Sequence, residues 1–280
     1  MNCTLTLPTL FTSLHRQHSA LNVAAAASLC FVLTVPPSVL ADSELSSMRG
    51  MKSMESPSVL RENPEGFFDY FEYKAQFRTR NELVKQADID DAEATTLRTR
   101  LSLNIKEVKG FSFLIEVDDI TSLGSEGRFN AGQGNRGNRA MILDPDGTEV
   151  NQAYLSYRPS ENNLFRYGRQ RLTFDNSRFL GNQMFRQNEL THDAFTFRNT
   201  SLPETTLSLG YINNSNSAFG GNTDLGDFGQ NSRFLHLNYT GLSYTNLSVY
   251  HYDLEFIEDT SQSFNERLFS AETNGIRLQT

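Results

Sequence analysis

From about residue 71 onward the chain repeats every second residue. In 95–105, Leu97, Thr99, Leu101, Leu103 and Ile105 alternate with Arg98, Arg100, Ser102 and Asn104, so an extended backbone puts one set on each face. The same alternation sets Phe71, Tyr73, Ala75 and Phe77 against Glu72, Lys74, Gln76 and Arg78. It recurs at Phe111, Phe113, Ile115 and Val117, at Ala153, Leu155 and Tyr157 against Gln152, Tyr154, Ser156 and Arg158, and at Leu207, Leu209 and Tyr211. Further extended runs lie at 164–173, 193–199, 233–240, 244–256 and 271–279, which makes ten predicted strands. No stretch carries the 3.6-residue stripe of an amphipathic helix.

The connections alternate as well. Those at 81–94, 123–149, 174–192, 214–230 and 257–270 are long, while those at 107–110, 159–163, 201–205 and 241–243 are short. The short ones carry turn chemistry: Lys109-Gly110, Pro159-Ser160, Pro203-Glu204 and Thr240-Gly241. A soluble β-sandwich has no reason to gather every long loop at one end. An outer-membrane barrel has tight periplasmic turns and large extracellular loops. Backbone polar groups in lipid must be paired within the protein, so a half-greasy antiparallel sheet entering a membrane has to close on itself, apolar face outward and polar face inward. The fold class expected is therefore all-β, an antiparallel transmembrane β-barrel.

The one sustained apolar stretch, 20–41, follows Arg16, His15 and His18, contains Pro36-Pro37 and ends on Val39-Leu40-Ala41. That arrangement reads as a secretory signal cleaved near Ala41, the proline pair cutting the apolar run short of a membrane span. The predicted organisation is a signal peptide at 1–41, a periplasmic N-terminal segment at 42–66 and the barrel at 67–280. Both cysteines, Cys3 and Cys30, fall within the signal, as does a single charge, Arg16, so the exported chain is free of thiols and more acidic than the net −8 of the whole. Disulfides, cysteine-ligated metals and a cysteine nucleophile are thereby excluded.

Of 25 basic residues only five are lysines, and many arginines sit on the polar strand positions: Arg78, Arg80, Arg98, Arg100, Arg158, Arg169, Arg171 and Arg198. Many acids crowd the predicted loops, among them Asp88, Asp90, Asp91, Glu93, Asp144, Asp146, Asp224, Asp227, Glu258 and Asp259. Arginines sharing one lumen favour anions whatever the net charge, because a pore responds to the charges that line it. The competing reading is that they pair with interior acids such as Glu72, Glu116 and Asp118 and fill the barrel. The GxGxxG pattern at Gly132, Gly134 and Gly137 lacks the strand before it and the helix after it, and reads as a loop rather than a nucleotide site. The DPDGTE run at 144–149 reads as a turn opening the next strand. His192, His236 and His251 show no metal-ligand spacing, so no metal, no cofactor and no catalytic set is expected.

The segment 70–214 resembles the alginate-export family of bacterial outer-membrane porins, through LRTRL at 97–101, EVNQAYL at 149–155, GRQRL at 168–172, DNSRFLG at 175–181, FRQNE at 185–189 and Asp193-Ala194, in that order. The resemblance implies a monomeric barrel of 16–18 strands in the outer membrane, more than the ten counted and so truncated here. It further implies a conduit for an anionic solute or polysaccharide, with no nucleic-acid partner. Arg169 and Arg171 are the foremost pore-lining positions it suggests, followed by Arg98 and Arg100. The segment 175–188 with Glu189 becomes a constriction loop carrying Asp175, Arg178 and Arg186. Two other functions stay open at this point: an outer-membrane hydrolase, for which only His192 and Asp193 lie close together, and a secreted β-sandwich that binds polysaccharide.

Overall fold

The computed structural model describes residues 66–132, 138–221, 223, 225–257 and 270–280, together with the backbone of 22–35. Among these there is no α-helix; a 3-10 turn, Phe67–Tyr70, leads into the sheet. The strands are β1 (Asn22–Val35), β2 (Phe71–Lys85), β3 (Ala92–Val108), β4 (Phe111–Ser122), β5 (Gly147–Ser160) and β6 (Asn163–Gln170). They continue with β7 (Thr191–Asn199), β8 (Thr205–Asn216), β9 (Asp227–Leu242), β10 (Thr245–Leu254) and β11 (Ala271–Gln279).

All ten predicted strands are present as β2 to β11, and each pairs antiparallel with its neighbours in sequence. They form one open sheet: no pairing joins β11 to β1 or β2 among the described residues, so the sheet is not closed into a barrel. The apolar stretch read as a signal contributes β1, which pairs along β2 from Asn22 opposite Lys85 to Val35 opposite Tyr73. The cleavage position at Ala41 and residues 42–65 of the N-terminal segment lie outside the described residues.

Long and short connections still alternate, with their bounds adjusted. The connection predicted at 81–94 is mostly strand, because β2 runs to Lys85 and β3 starts at Ala92, leaving 86–91 as the link. At the short end, Lys109 (φ 51°) and Gly110 (φ 86°) both take the left-handed conformation that a two-residue hairpin turn needs.

The two faces of the sheet are inverted relative to a water-soluble protein. In β3 the polar side, Thr96, Arg98 and Arg100, is buried, while Leu101 on the other side is 57% exposed. Tyr73, Phe77, Phe111, Leu155, Tyr167, Phe195 and Ile276 are likewise exposed, on strands from β2 to β11. No second sheet covers this apolar face, so the layered packing of a sandwich is absent among the described residues.

What buries the polar face is the long connections folding over it. Residues 123–132 and 138–146 lay Phe129, Ala131, Ala140 and Ile142 onto Val84, Ala92 and Ala94 at the ends of β2 and β3. Residues 171–190 lay Leu172 and Leu180 onto Ala194, Ile212, Phe234 and Tyr252 of β7 to β10. Apolar atoms removed from water in both clusters hold the loops down at about 25 cal/mol per Å².

Candidate functional site

The polar face carries its charges on alternate residues of adjacent strands, and the segment 171–190 crosses it. Register sets the ladder: Arg78 lies opposite Arg98 on β2 and β3, and Arg100 lies opposite Asp118 on β4. Like charges side by side repel, and the loop supplies what relieves them.

At its far end the loop presents backbone carbonyls and acids to the arginines. Arg78 donates to the carbonyls of Met184 (2.9 Å), Phe185 (2.9 Å) and Arg186 (3.0 Å), and Arg80 also donates to that of Phe185 at 2.9 Å. Arg98 donates to the Gln187 carbonyl (2.9 Å) and to Gln76 Oε1 (2.8 Å). Arg100 forms a two-pronged pair with Asp118, both bonds 2.6 Å, and reaches Glu189 at 2.8 Å. Arg171 joins Glu189 and, at 2.5 Å, Glu116. Arg80 is paired with Glu82 and with Asp144 at 3.2 Å, and Arg186 with Glu82 at 3.1 Å.

Arg80, Arg98, Arg100, Arg171 and Arg186 are thus matched one for one by Glu82, Glu116, Asp118, Asp144 and Glu189. The expected sorting of arginines to strands and acids to loops holds only in part, since Glu82, Glu116 and Asp118 are strand residues on the same face. Of the competing partners considered from sequence, Glu116 and Asp118 are engaged. Glu72 instead accepts a bond from Asn104 and lies 4.0 Å from Lys106 near the short-turn end. A bulge at Asn151 turns two neighbouring amides, Asn151 (2.8 Å) and Gln152 (3.3 Å), onto Glu116. Asp144, the first residue of the DPDGTE turn, is fully buried and accepts from the Gln187 backbone amide at 3.0 Å. Burial alone raises the Glu189 carboxyl, but Arg100 and Arg171 hold it down at about 2.

The near end of the loop is anchored across the sheet. Asp175, in a left-handed turn (φ 51°), accepts from Ser248 at 2.6 Å, sits 3.2 Å from His236 Nε2 and 3.4 Å from Arg277. Burial pushes its carboxyl up, and the bonds from Ser248 and His236 with the charge of Arg277 pull it below the usual range. Phe174 stacks on His236, ring centroids 4.6 Å apart, beside Tyr250 and Tyr252. Arg178 lies against its own neighbour Phe179. One connection therefore bridges the sheet from β2 to β11.

One of the predicted positions does not lie where the alternation puts it. Arg169 is on the opposite face. It stands in register with Ala153 and Asp193, on the side that exposes Leu155, Tyr167 and Phe195, and it pairs with Asp193 at 2.9 Å. Arg171 faces the ladder because β6 ends at Gln170, which frees it from the alternation that would otherwise put it beside Arg169. Arg158 is near the short-turn end, 3.3 Å from Glu107. Arg198 is exposed on the polar face, opposite Leu164 and Ser208. Arg166, which the sequence did not single out, lies on that face with its guanidinium 4.8 Å from the centre of the Tyr154 ring.

The hydrolase alternative has one geometric relative: His192 Nδ1 is 2.6 Å from Ser215 Oγ. Both are buried, and the serine oxygen already accepts from Gln230 at 2.5 Å, so no substrate reaches it in this arrangement. No cluster of ligands able to hold a metal ion occurs among the described residues. Residues 133–137 of the GxGxxG pattern lie outside the described set.

The apolar face adds a belt of rings near the short turns. Phe111 stacks on Tyr157 (4.4 Å), Tyr157 on Phe165 (6.5 Å), and Phe165 packs against Phe197 (4.7 Å), one ring from each of four successive strands. Comparison with protein-family models and with curated proteins finds no match to this chain. The resemblance to alginate-export porins accordingly stands on the quoted motifs alone.

Proposed function

We propose that the chain forms the wall of an outer-membrane porin of the alginate-export type, through which anionic or small polar solutes diffuse passively. The observation that carries this reading is the inverted sheet: buried arginines and carboxylates on one face, exposed leucines and aromatic rings on the other. An uncovered apolar face of ten strands is an aggregation hazard in water, whereas hydrocarbon is its natural solvent. The aromatic belt near the short turns supports the same reading, since such girdles sit where a barrel leaves the hydrocarbon layer. Each face of the sheet then has its role: lipid outside, water and the strap inside.

On this reading residues 171–190 narrow the passage, tied at Asp175 to β9–β11 and at 184–189 to β2–β4. Carbonyl clamping by Arg78, Arg80 and Arg98 keeps the strap in place without moving parts. Passage is diffusive, and no side chain needs to react. Closure requires strand pairing at both sheet edges, since unpaired backbone is not tolerated in lipid.

The experiment is planar-bilayer conductance of the full-length protein, with separation of cell membranes beforehand. Stepwise conductance from protein recovered in the outer membrane is expected. A chain found wholly in the buffer-soluble fraction, with no channels, refutes the proposal.

A further inference from the structure

Five of the arginines under the strap, Arg80, Arg98, Arg100, Arg171 and Arg186, are neutralised by carboxylates, so they supply little net charge for an anion preference. Two arginines on the strands of the polar face have no such partner. Neither Arg166 nor Arg198 has a hydrogen bond or an ion pair among the described residues, and the Nε of Arg166 is buried without any acceptor. Arg158, the third arginine of this region, is engaged by Glu107.

Their placement is specific. Arg166 on β6 is opposite Ser156 and Thr196, and Arg198 is the next residue along β7 on the same face as Thr196. Such a diagonal pair has backbones about 7 Å apart, close enough for two guanidiniums to reach one anion. Ser156 is four residues from Gln152, which faces Glu116. The pair thus sits about 13 Å from the neutral ladder toward the short turns, beyond the ~8 Å over which exposed charges act at physiological salt. The Tyr154 ring under Arg166 holds that guanidinium in place by a contact that uses none of its N–H groups.

We propose that Arg166 and Arg198 form the anion-selecting step of the passage. They take a carboxylate, phosphate or halide in transit on the short-turn side of the strap, and the Arg100–Glu189–Arg171 ladder contributes structure rather than selectivity. This rests on the porin reading above.

The test is the reversal potential of the full-length protein in a potassium chloride gradient. The wild type prefers chloride. Arg166→Gln with Arg198→Gln lowers the chloride-to-potassium permeability ratio about 30-fold, about fivefold for each unit charge at 4 Å in water, while Arg169→Gln leaves it unchanged. Channels whose preference is the same in the double variant overturn the inference and leave the porin reading standing. A wild type that forms no channels overturns both. Should the double variant fail to insert, Arg198→Cys replaces it, since Cys3 and Cys30 are the only other thiols. A cationic thiol reagent then restores the chloride preference and an anionic one reverses it, and identical ratios after both reagents contradict the inference.

Discussion

Glu189→Gln is the sharpest probe of how the strap is held. The side chain keeps its shape and loses its charge, so any effect reports the ion pairs with Arg100 at 2.8 Å, Arg98 at 3.6 Å and Arg171. A carboxyl held at about 2 instead of 4.5 corresponds to about 3 kcal/mol favouring the charged form in the folded protein. Removing one partner of a buried cluster costs about 3–5 kcal/mol by independent measure. Because Arg100 keeps Asp118 and Arg171 keeps Glu116, the lower figure applies. If that energy holds the 184–189 end against β2–β4, its loss raises the fraction of released strap about 150-fold. The sign with pH follows: the folded value is depressed, so the stabilisation is complete above about 4.5 and is lost as pH falls through about 2. Wild type in strong acid should therefore come to resemble the variant at neutral pH. The assay is cleavage of residues 172–190 by an added protease, read beside single-channel current noise. The variant should be cut faster within 184–190 and flicker more at pH 7, with little further change in cleavage at that end on acidification. Equal cleavage of the two proteins at pH 7 refutes the claim that this carboxylate ties down the strap.

Other perturbations address separate parts of the account. Gly168→Ala places a methyl 2.3 Å from the Ala153 carbonyl oxygen on a residue with φ 125°, so folding yield should fall by an amount equivalent to about 1–3 kcal/mol, read by heat-modified gel mobility. Leu101→Arg, at the middle of the exposed apolar face, should cost about 2–4 kcal/mol when unfolding is measured in lipid vesicles, whereas a face in water would tolerate it. Asp175→Asn should loosen the other end of the strap by removing the charge and one of the two acceptor oxygens that serve Ser248, His236 and Arg277. Its benefit in the wild type exists above the ordinary carboxylate range and fades as pH drops, so protease sensitivity at residues 172–180 should become less pH-dependent in the variant.

The strands were legible because a half-exposed sheet writes itself as alternation, and each of β2 to β11 overlaps a predicted run, although 164–173 and 244–256 overrun β6 and β10. Their ends were less so: Leu83 and Val84 are consecutive apolar residues that look like the end of a pattern, yet Val84 faces the loop core while Leu83 continues the exposed face. Arg78, Arg80, Arg98, Arg100 and Arg198 have the strand parity that the alternation assigns them. GRQRL misled because Arg169 and Arg171 share parity only in an unbroken strand, and β6 stops between them at Gln170. Pairings such as Arg80 with Asp144, or Arg100 with Glu189, join residues far apart in the chain. Alternation does not encode which loop folds back over a sheet. The polarity of a strand face says that charges lie there; only register and loop placement decide whether they cancel. Arg166 could have been found by asking which arginines have the parity of Ser156 and Thr196 and no acid opposite.

The central claim is that the face bearing Leu101, Leu155, Tyr167 and Phe195 meets hydrocarbon. Its most direct test is a fluorophore placed at single introduced cysteines, Leu101→Cys and Leu155→Cys, in protein reconstituted into vesicles of lipids brominated on their acyl chains. Strong quenching by those lipids at both positions, with little at a Ser102→Cys label on the opposite face, is the expected result. Labels at 101 and 155 that ignore the brominated chains and are instead quenched by aqueous iodide would contradict it.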